Sequence, residues 1–375
     1  MTTTSPPHIP LVDLVAQYQS IKAEMDQAIQ GIIEGGHFIG GEPVGKFASA
    51  FAAYCQVPYC IPNANGTDAI ELALASLGIG KGDEVIIPAF TFVATLEAVC
   101  NVGATPVLCD IDPHRFTIDP AKAISLVTLA TKAIIPVHLY GQMADMDPLV
   151  AYAGDNSMFV IEDAAQAHGA TYKGQRAGSI GDINTFSFYP GKNLGAYGDA
   201  GAITTKSEWL FTKVFKMVNH GRIAKYDHEI VGRNSRMDTL QAAILSVKLH
   251  HMEDWTRKRR AIADRYRHIL ADVQGVRLPR SYADSPGVYH LFVIRIEKEK
   301  RDDFRAFLKA RGIETGIHYP ISLSRLKVTT DQLKINTHCP EAEKASEEVV
   351  SLPIYPELTP DLQDYICDQI TDYFK

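Results

Sequence analysis

Residues 185–202, TFSFYPGKNLGAYGDAGA, combine a strand end with a tight turn built around one lysine. The first four residues are typical of a strand, and Lys192 follows between Gly191 and Gly195. Glycines on both sides let the backbone turn sharply and come close to a ligand. An amine in this setting is a candidate for a Schiff base with a carbonyl cofactor. A surface lysine in a loop also explains this stretch, so the flanking sequence has to discriminate.

The composition is that of an ordinary soluble enzyme. The length of 375 residues exceeds the size at which a single core stops growing, so two domains are expected. Hydrophobic residues make up 46% of the chain and charged residues 22%. The 37 basic and 44 acidic residues give a net charge of -7, which argues against nucleic acid or an anionic membrane as the main partner.

The N-terminal residues and the cysteines indicate a cellular compartment. No basic residue precedes Lys22, and no apolar run has the length of a signal peptide or a membrane span. The 6 cysteines show neither CxxC pairs nor the density of a disulfide framework. We therefore expect a cytoplasmic protein without a metal centre.

Strands and helices alternate along the first two thirds of the chain. The pattern predicts strands at residues 59–62, 84–87, 105–110, 131–137 and 158–161, with helices between them. This order predicts an α/β fold with a mainly parallel sheet that binds its ligand at the carboxyl ends of the strands. From about residue 276 the pattern is that of a smaller α+β module. We place the large domain at residues 1–250 and the small domain at residues 251–375.

Three further features fall at predicted strand ends. Gly66 and Thr67 open a helix whose free amides could bind an anion, although an ordinary helix cap fits equally well. Phe92 could cover a planar ring, but an aromatic at a turn is more often part of the core. Asp163 follows a buried strand, where a carboxylate must be paired or hydrogen-bonded. Together with Lys192, these features suit a flat, phosphorylated, cationic ring with an aldehyde, which describes pyridoxal 5'-phosphate.

Long blocks over most of the chain resemble the DegT/StrS family of sugar aminotransferases, which depend on pyridoxal 5'-phosphate (PLP). The resemblance implies fold type I, the architecture of aspartate aminotransferase, with a seven-stranded type of sheet in the large domain. The matching blocks, in chain order, are NGTDAIELAL, PAFTFVAT, IPVHLYGQMADMD, EDAAQAHGA, FSFYPGKNLGAYGDAGA, GRNSRMDTLQAA and IHYP.

The resemblance implies roles for the residues around the cofactor ring. Lys192 would form the Schiff base with PLP and later move the proton between the substrate and the cofactor. Asp163 would pair with the pyridine nitrogen, Gln166 would bind the phenolic oxygen, and Phe92 would lie on the ring face.

The same resemblance implies a phosphate site and a dimer. Ser187 and Thr67, with the backbone of Gly66, would hold the phosphate of the cofactor. Asn234 in GRNSRM resembles the family's asparagine that reaches the phosphate in the neighbouring subunit. This implies a homodimer with shared active sites.

The implied reaction moves nitrogen in two steps. An amino acid, most plausibly L-glutamate, leaves its amino group as pyridoxamine 5'-phosphate, and a keto-sugar on a nucleoside diphosphate accepts it. Arg236, His318 and Tyr319 are candidates for holding either substrate. The lysine block looks most like members that act at the third sugar carbon of deoxythymidine- or uridine-diphosphate sugars, in lipopolysaccharide or deoxyaminosugar biosynthesis.

One departure and two alternatives accompany this hypothesis. The family often continues HYP with a proline and a histidine, whereas this chain has Ser322 and Ser324 there. A sugar dehydratase or other lyase of the same family is one alternative, and Lys192 weighs against it because dehydrating members can have histidine at that position. A regulatory protein that binds PLP without turnover is the other, and such a protein does not need an acid-base lysine.

Overall fold

The computed structural model describes residues 7–375, and helices make up much of that range. The helices are α1 (Leu14–Ser20), α2 (Lys22–Gly35), α3 (Glu42–Tyr54), α4 (Gly66–Ser76), α5 (Ala94–Asn101), α6 (Pro120–Ser125), α7 (Met146–Asp155), α8 (Glu208–Met217), α9 (Thr239–Ile269), α10 (Lys298–Ala310), α11 (Pro340–Glu348) and α12 (Pro360–Phe374). None of these helices is both long and apolar enough to cross a membrane.

The strands form two main sheets and two short hairpins. They are β1 (Tyr59–Asn63), β2 (Glu84–Pro88), β3 (Thr105–Cys109), β4 (Thr131–Ile134), β5 (Phe159–Asp163), β6 (Thr171–Tyr172), β7 (Gln175–Arg176), β8 (Ile183–Ser187), β9 (Gly201–Thr205), β10 (Arg222–Ala224), β11 (Asp227–His228), β12 (Val276–Arg277), β13 (Phe292–Ile296) and β14 (Val349–Leu352).

The large sheet has seven strands in the order β1-β9-β8-β5-β4-β2-β3. Strand β9 pairs antiparallel with both of its neighbours, and the other pairings are parallel. Helices cover both faces, so its strands are nearly continuous apolar runs rather than alternating ones. In β2, for example, Val85, Ile86 and Ile87 are all fully buried. This arrangement confirms the predicted α/β class and the mainly parallel sheet.

The small sheet, β12-β13-β14, is antiparallel and packs with α10 and α12 around a second core. The side chain of Ile9 is buried in this core. Its backbone is held by two hydrogen bonds: the Ile9 amide donates to the Gly312 carbonyl at 2.7 Å, and the Glu314 amide donates to the Ile9 carbonyl at 2.9 Å. Helix α9 runs for 31 residues and contributes side chains to the cores on both sides. The predicted boundary between residues 250 and 251 lies inside α9, and it stays a prediction.

Two predicted strands are shorter than the sequence pattern indicates. The strand predicted at residues 131–137 ends at Ile134, because Pro136 has no amide to donate to a ladder. The strand predicted at residues 105–110 ends one residue earlier, at Cys109.

Candidate active site

Strands β5 and β8 bring the two central candidate residues to one edge of the large sheet. They pair in parallel, with Asp163 opposite Thr185, so their carboxyl ends coincide. Strand β5 ends at Asp163, and β8 leads directly into the loop that carries Lys192. The strand end and the lysine loop are therefore neighbours, as the sequence predicted.

The lysine loop is closed by its own backbone. The amide of Lys192 donates to the Tyr189 carbonyl at 2.8 Å. A Cβ atom at Gly195 would lie 2.2 Å from the Pro190 carbonyl oxygen, so only glycine fits this turn. From outside the loop, the buried ammonium of Lys248 on α9 donates to the Gly195 carbonyl at 2.7 Å. These contacts fix the backbone from which Lys192 projects.

The pKa of the Lys192 amine lies near neutral pH. Burial lowers the pKa of Lys192 to about 8, and the negative charge of Asp163 opposes that shift. Roughly a tenth of the amine is therefore neutral at pH 7. A neutral amine is the form that attacks a carbonyl carbon.

Asp163 is a buried carboxylate with few donors. Its Oδ1 accepts from the Ala165 amide at 3.2 Å, and its Oδ2 accepts from the Thr95 hydroxyl at 3.1 Å. Burial raises the pKa of Asp163, while these donors and the charge of Lys192 lower it in part. A carboxylate in this state gains from a further cation beside it.

Three histidines near Lys192 are held neutral. Burial, reinforced by the charge of Lys192, lowers the pKa of His168 to about 3 and that of His318 to about 4. The same two causes come first in lowering the pKa of His290 well below its ordinary value. These imidazoles add no positive charge near pH 7, so the Asp163 carboxylate keeps its capacity for a cationic partner.

The start of α4 and the end of β8 form a candidate anion site. Asn65 caps the helix by accepting from the Asp68 amide at 2.8 Å. Within residues 7–375, the amides of Gly66 and Thr67 have no hydrogen-bond partner. A Cβ atom at Gly66 would lie 2.7 Å from the Ser187 Cβ, so the helix start and that serine are in contact. Free amides beside a hydroxyl suit a phosphate group.

Gln166 links the sheet edge to the C-terminal part of the chain. Its Oε1 accepts from the Tyr140 amide at 2.7 Å, and its Nε2 donates to the Tyr319 hydroxyl at 3.1 Å. The ring of Tyr319 lies 5.7 Å from that of Phe92. Phe92 is 54% exposed, so it is available to cover a planar ring rather than being part of the core.

Asn234 and Arg236 flank Ser235, whose hydroxyl accepts from the Ala64 amide near the start of α4 at 3.4 Å. Asn234 is exposed, and Arg236 donates to the Asn219 side chain at 3.0 Å. No hydrogen bond or ion pair among residues 7–375 joins either residue to Lys192 or Asp163. Their predicted roles in phosphate and substrate binding stay predictions, as do those of the other candidate residues.

The departure from the family pattern has a structural explanation. Ser322 and Ser324 are buried with their hydroxyl oxygens 2.9 Å apart, and Ser324 donates to Glu343 of α11 at 3.1 Å. These serines anchor their segment to α11. His318 in the preceding block is held by Ser351, with 2.8 Å between its Nδ1 and the serine hydroxyl.

Two residues that contact the cluster were not singled out from the sequence. Thr95 binds Asp163 from one helical turn beyond Phe92, inside the PAFTFVAT block. Tyr140 binds Gln166 from inside the IPVHLYGQMADMD block. The only sequence signal for Thr95 and Tyr140 was that each lies in a block matching the family. Their contacts could not be predicted, because both partners are distant in sequence. The described residues contain no group of three or more His, Cys, Asp or Glu side chains placed to hold a metal ion.

Comparisons with known proteins identify the family of this chain. The sequence model of the DegT/DnrJ/EryC1/StrS aminotransferase family matches residues 19–371. A pleiotropic regulatory protein of Geobacillus stearothermophilus is 44% identical over 98% of this chain and 99% of its own. The dTDP-3-amino-3,4,6-trideoxy-alpha-D-glucose transaminase of Streptomyces venezuelae is 42% identical over 94% and 92% of the two chains. The UDP-2-acetamido-2-deoxy-3-oxo-D-glucuronate aminotransferase of Pseudomonas aeruginosa is 41% identical over 97% and 100%.

Solved structures confirm the fold type I architecture. The crystal structure of S. venezuelae DesV in complex with a ketimine intermediate has a TM-score of 0.95 and 40% identity, covering 98% of this chain and 99% of that one. NtdA of Bacillus subtilis, with bound pyridoxamine phosphate, has a TM-score of 0.91 and 34% identity, covering 100% and 86%.

The cofactor of this family is pyridoxal 5'-phosphate, which confirms the cofactor prediction. The donor set at the sheet edge fits that molecule group by group. Lys192 offers an amine of lowered pKa, and Asp163 is a buried carboxylate that can pair with the positively charged ring nitrogen. The unpaired amides of Gly66 and Thr67 suit the phosphate.

Proposed function

This chain belongs to the DegT/DnrJ/EryC1/StrS aminotransferase family, and we propose that it moves an amino group from L-glutamate to a nucleoside-diphosphate keto-sugar. One observation carries the proposal most directly. A lysine with a pKa of about 8 lies beside a buried carboxylate whose pKa is raised, at the carboxyl edge of the sheet. That pair can hold a cationic ring cofactor and transfer protons next to it.

Each residue of the site has a distinct task in this proposal. When bound, pyridoxal 5'-phosphate supplies an aldehyde that takes up the amino group and a protonated ring that withdraws electrons. Lys192 holds the cofactor, and its Nζ carries the proton to and from the substrate carbon. Asp163 keeps the ring nitrogen protonated through charge pairing. Gln166 donates to the phenolic oxygen, and Phe92 covers the ring.

The phosphate is proposed to lie at the start of α4. The amides of Gly66 and Thr67, the Thr67 hydroxyl and the Ser187 hydroxyl would donate to its oxygens. Because Gly66 contacts Ser187 directly, a side chain at position 66 would fill this space.

The acceptor is proposed to be a sugar with a keto group at its third carbon. By name, the S. venezuelae relative makes a 3-amino sugar and the P. aeruginosa relative acts on a 3-oxo sugar. Tyr319 accepts a hydrogen bond from Gln166, and we propose that it and the preceding His318 contact the sugar. The product would serve lipopolysaccharide or deoxyaminosugar biosynthesis in the cytoplasm.

The enzyme is proposed to act as a homodimer with shared sites. The loop at residues 219–236 exposes Tyr226 by 85% and Val231 by 95%, which is unusual for apolar side chains on a free surface. We propose that this loop reaches the partner subunit, where Asn234 binds the cofactor phosphate and Arg236 binds a substrate.

A spectroscopic experiment tests the catalytic proposal. Adding L-glutamate to the purified holoenzyme should abolish the visible absorbance of the bound cofactor, and borohydride should fix the cofactor covalently to Lys192. In Lys192→Ala, both effects should disappear and turnover should fall at least about 10⁴-fold.

Lys248→Met tests which lysine is modified, because Lys248 is also buried with a pKa lowered to about 8. Only the position of trapping is compared, not its rate, because Lys248 also holds the Gly195 carbonyl of the lysine loop. This variant should still trap the cofactor at Lys192. A cofactor that binds but responds to no amino donor would favour the regulatory alternative, which the name of the G. stearothermophilus relative keeps open.

A second experiment tests the acceptor. The enzyme is incubated with nucleotide-linked 3-keto and 4-keto sugars, and the products are identified by mass spectrometry. Transfer to a 3-keto sugar supports the proposal. Loss of water from the sugar without an amino donor would favour the dehydratase alternative instead.

A further inference from the structure

The turn at residues 138–142 lies in the block IPVHLYGQMADMD, to which the proposed function assigns no role. It follows β4 and leads toward α7, and it contacts three segments of the active site. We refer to these five residues as the 138–142 turn.

The first contact holds the end of β5. The amide of His138 donates to the Asp163 carbonyl at 3.0 Å, and the Asp163 amide donates to the Pro136 carbonyl at 2.9 Å. Through its ring, His138 also binds Glu162, with 2.8 Å between Nε2 and Oε2. The turn thereby fixes the backbone from which the Asp163 carboxylate projects.

The second contact sets the orientation of Gln166. A backbone amide can only donate, so the atom that accepts from Tyr140 must be the carbonyl oxygen of the Gln166 side chain. The amino end of that side chain therefore points the other way, toward the hydroxyl of Tyr319. A donor, not an acceptor, is presented there.

The third contact ties down the C-terminal segment. The hydroxyl of Tyr140 donates to the carbonyl of His318, whose neighbour Tyr319 receives the Gln166 bond. The contacts form a closed circuit from Tyr140 to Gln166, Tyr319, His318 and back. Tyr140 is the member that joins both ends of this circuit.

The backbone at Tyr140 is unfavourable for a residue with a side chain. Its φ is +61°, in the left-handed region, where glycine is favoured and aromatic residues are rare. The next residue, Gly141, also has a positive φ, of 89°. Glycine at position 140 would relieve the strain but would lose the hydroxyl and 93% buried ring that this tyrosine supplies.

We propose that Tyr140 is a positioning residue, which fixes the donor end of Gln166 toward the cofactor and locks the His318–Tyr319 segment beside it. The proposal rests on the proposed function in one respect, namely that Gln166 faces the phenolic oxygen of the cofactor. The hydrogen-bond circuit itself does not depend on which substrates the enzyme uses.

The test compares Tyr140→Phe with Tyr266→Phe. Both changes remove one buried hydroxyl that donates to a backbone carbonyl, and Tyr266 donates to Pro353 at 2.9 Å within the small core. A general loss of stability should therefore be similar in the two variants. A positioning role predicts effects that only Tyr140→Phe shows.

The first readout uses cofactor-free protein. In Tyr140→Phe, hydrogen exchange of the Leu323 and Arg325 amides, which follow the His318–Tyr319 segment and donate to the Ala89 and Ser322 carbonyls at 2.8 and 3.0 Å, should accelerate about tenfold relative to wild type. In Tyr266→Phe, these amides should exchange at the wild-type rate. Unchanged exchange in Tyr140→Phe, or equal acceleration in both variants, would overturn the proposal.

The second readout uses the holoenzyme. Tyr140→Phe keeps the amide that binds Gln166 but frees the His318 carbonyl, so Tyr319 holds the amino end of Gln166 less firmly. The variant should therefore bind pyridoxal 5'-phosphate about 3- to 10-fold more weakly and should shift the pH titration of its visible absorbance. An unshifted titration with accelerated exchange would overturn the role toward the cofactor. Absence of turnover with every keto-sugar would instead count against the proposed function, because both readouts work without substrate.

Discussion

Glu162 and Asp163 are consecutive residues at the end of β5, and strand alternation places their side chains on opposite faces of the large sheet. Glu162 accepts from the His138 ring at 2.8 Å and from the amides of Gly178, Ile180 and Gly181 at 2.9, 2.6 and 2.8 Å. Burial alone would raise the pKa of Glu162, but the His138 imidazole and the backbone donors hold it below its usual value.

Asp163 is equally buried but has two donors, and its pKa is raised. The two carboxylates therefore differ in how well they are satisfied rather than in depth. A saturated carboxylate ties chain segments together, whereas an unsaturated one retains attraction for a cation that arrives later. Donor count thus separates two carboxylates within a single strand, of which the less satisfied one is the proposed partner of the cofactor.

Of the two carboxylate substitutions, Asp163→Asn should have the larger effect on activity and little effect on stability. The ring of the cofactor loses its anionic partner, so kcat should fall about 10³-fold. The free energy of unfolding of the cofactor-free protein should change by less than about 1 kcal/mol, because removing a poorly satisfied buried charge offsets the altered hydrogen bonds. Steady-state kinetics and urea titrations measure the two quantities.

Glu162→Gln should show the opposite pattern. An amide group would face three backbone donors and His138, so the free energy of unfolding should fall by roughly 3 kcal/mol. Turnover per folded molecule should fall less than about tenfold, because Glu162 does not face the cofactor site. If Asp163→Asn proved the less stable variant and Glu162→Gln the less active one, the comparison would be wrong.

The sequence predicted this strand and its neighbours because buried parallel strands are apolar runs that end at turn formers. Asp163 and Lys192 could be located for the same reason, since each directly follows such a run. The orientation of β9 could not be predicted, because it depends on how the loop at residues 189–200 returns the chain to the sheet.

Two of the side-chain contacts around Asp163 and Gln166 were also beyond prediction. Thr95 reaches Asp163 across 68 positions of sequence, and Tyr140 reaches Gln166 across 26. Such contacts depend on the packing of separate elements, whereas local patterns report only on one element at a time.

The charge of Asp163 should also be visible in the titration of Lys192. In cofactor-free protein, the rate of covalent capture of pyridoxal 5'-phosphate should rise with pH and level off above a pKa of about 8, because only the neutral amine reacts. Asp163 raises that pKa, so Asp163→Asn should move the midpoint to lower pH. A midpoint near that of a free lysine, or a shift to higher pH in the variant, would contradict the pairing.

Thr95→Val should give the smallest effect. It removes the hydroxyl that donates to Asp163 and leaves the carboxylate with the Ala165 amide, which raises the pKa of Asp163 further. Loss of one hydrogen bond of about 1 kcal/mol corresponds to a decrease of about 3- to 10-fold in kcat. Thr95→Ser keeps the hydroxyl and should restore most of the activity, whereas equal losses in both variants would point to packing.

The pairing of Ile9 with the strand segment around Ile313 has a consequence for synthesis. Ile9 is synthesised about 300 residues before Ile313, so the core of the small sheet cannot form until that later segment has left the ribosome. Strand β14 of the same sheet is synthesised later still. Contacts of such long range form slowly and leave apolar surface unprotected meanwhile. The large sheet can assemble during translation, but the small core can close only near its end, and this interval is where chaperones would be needed.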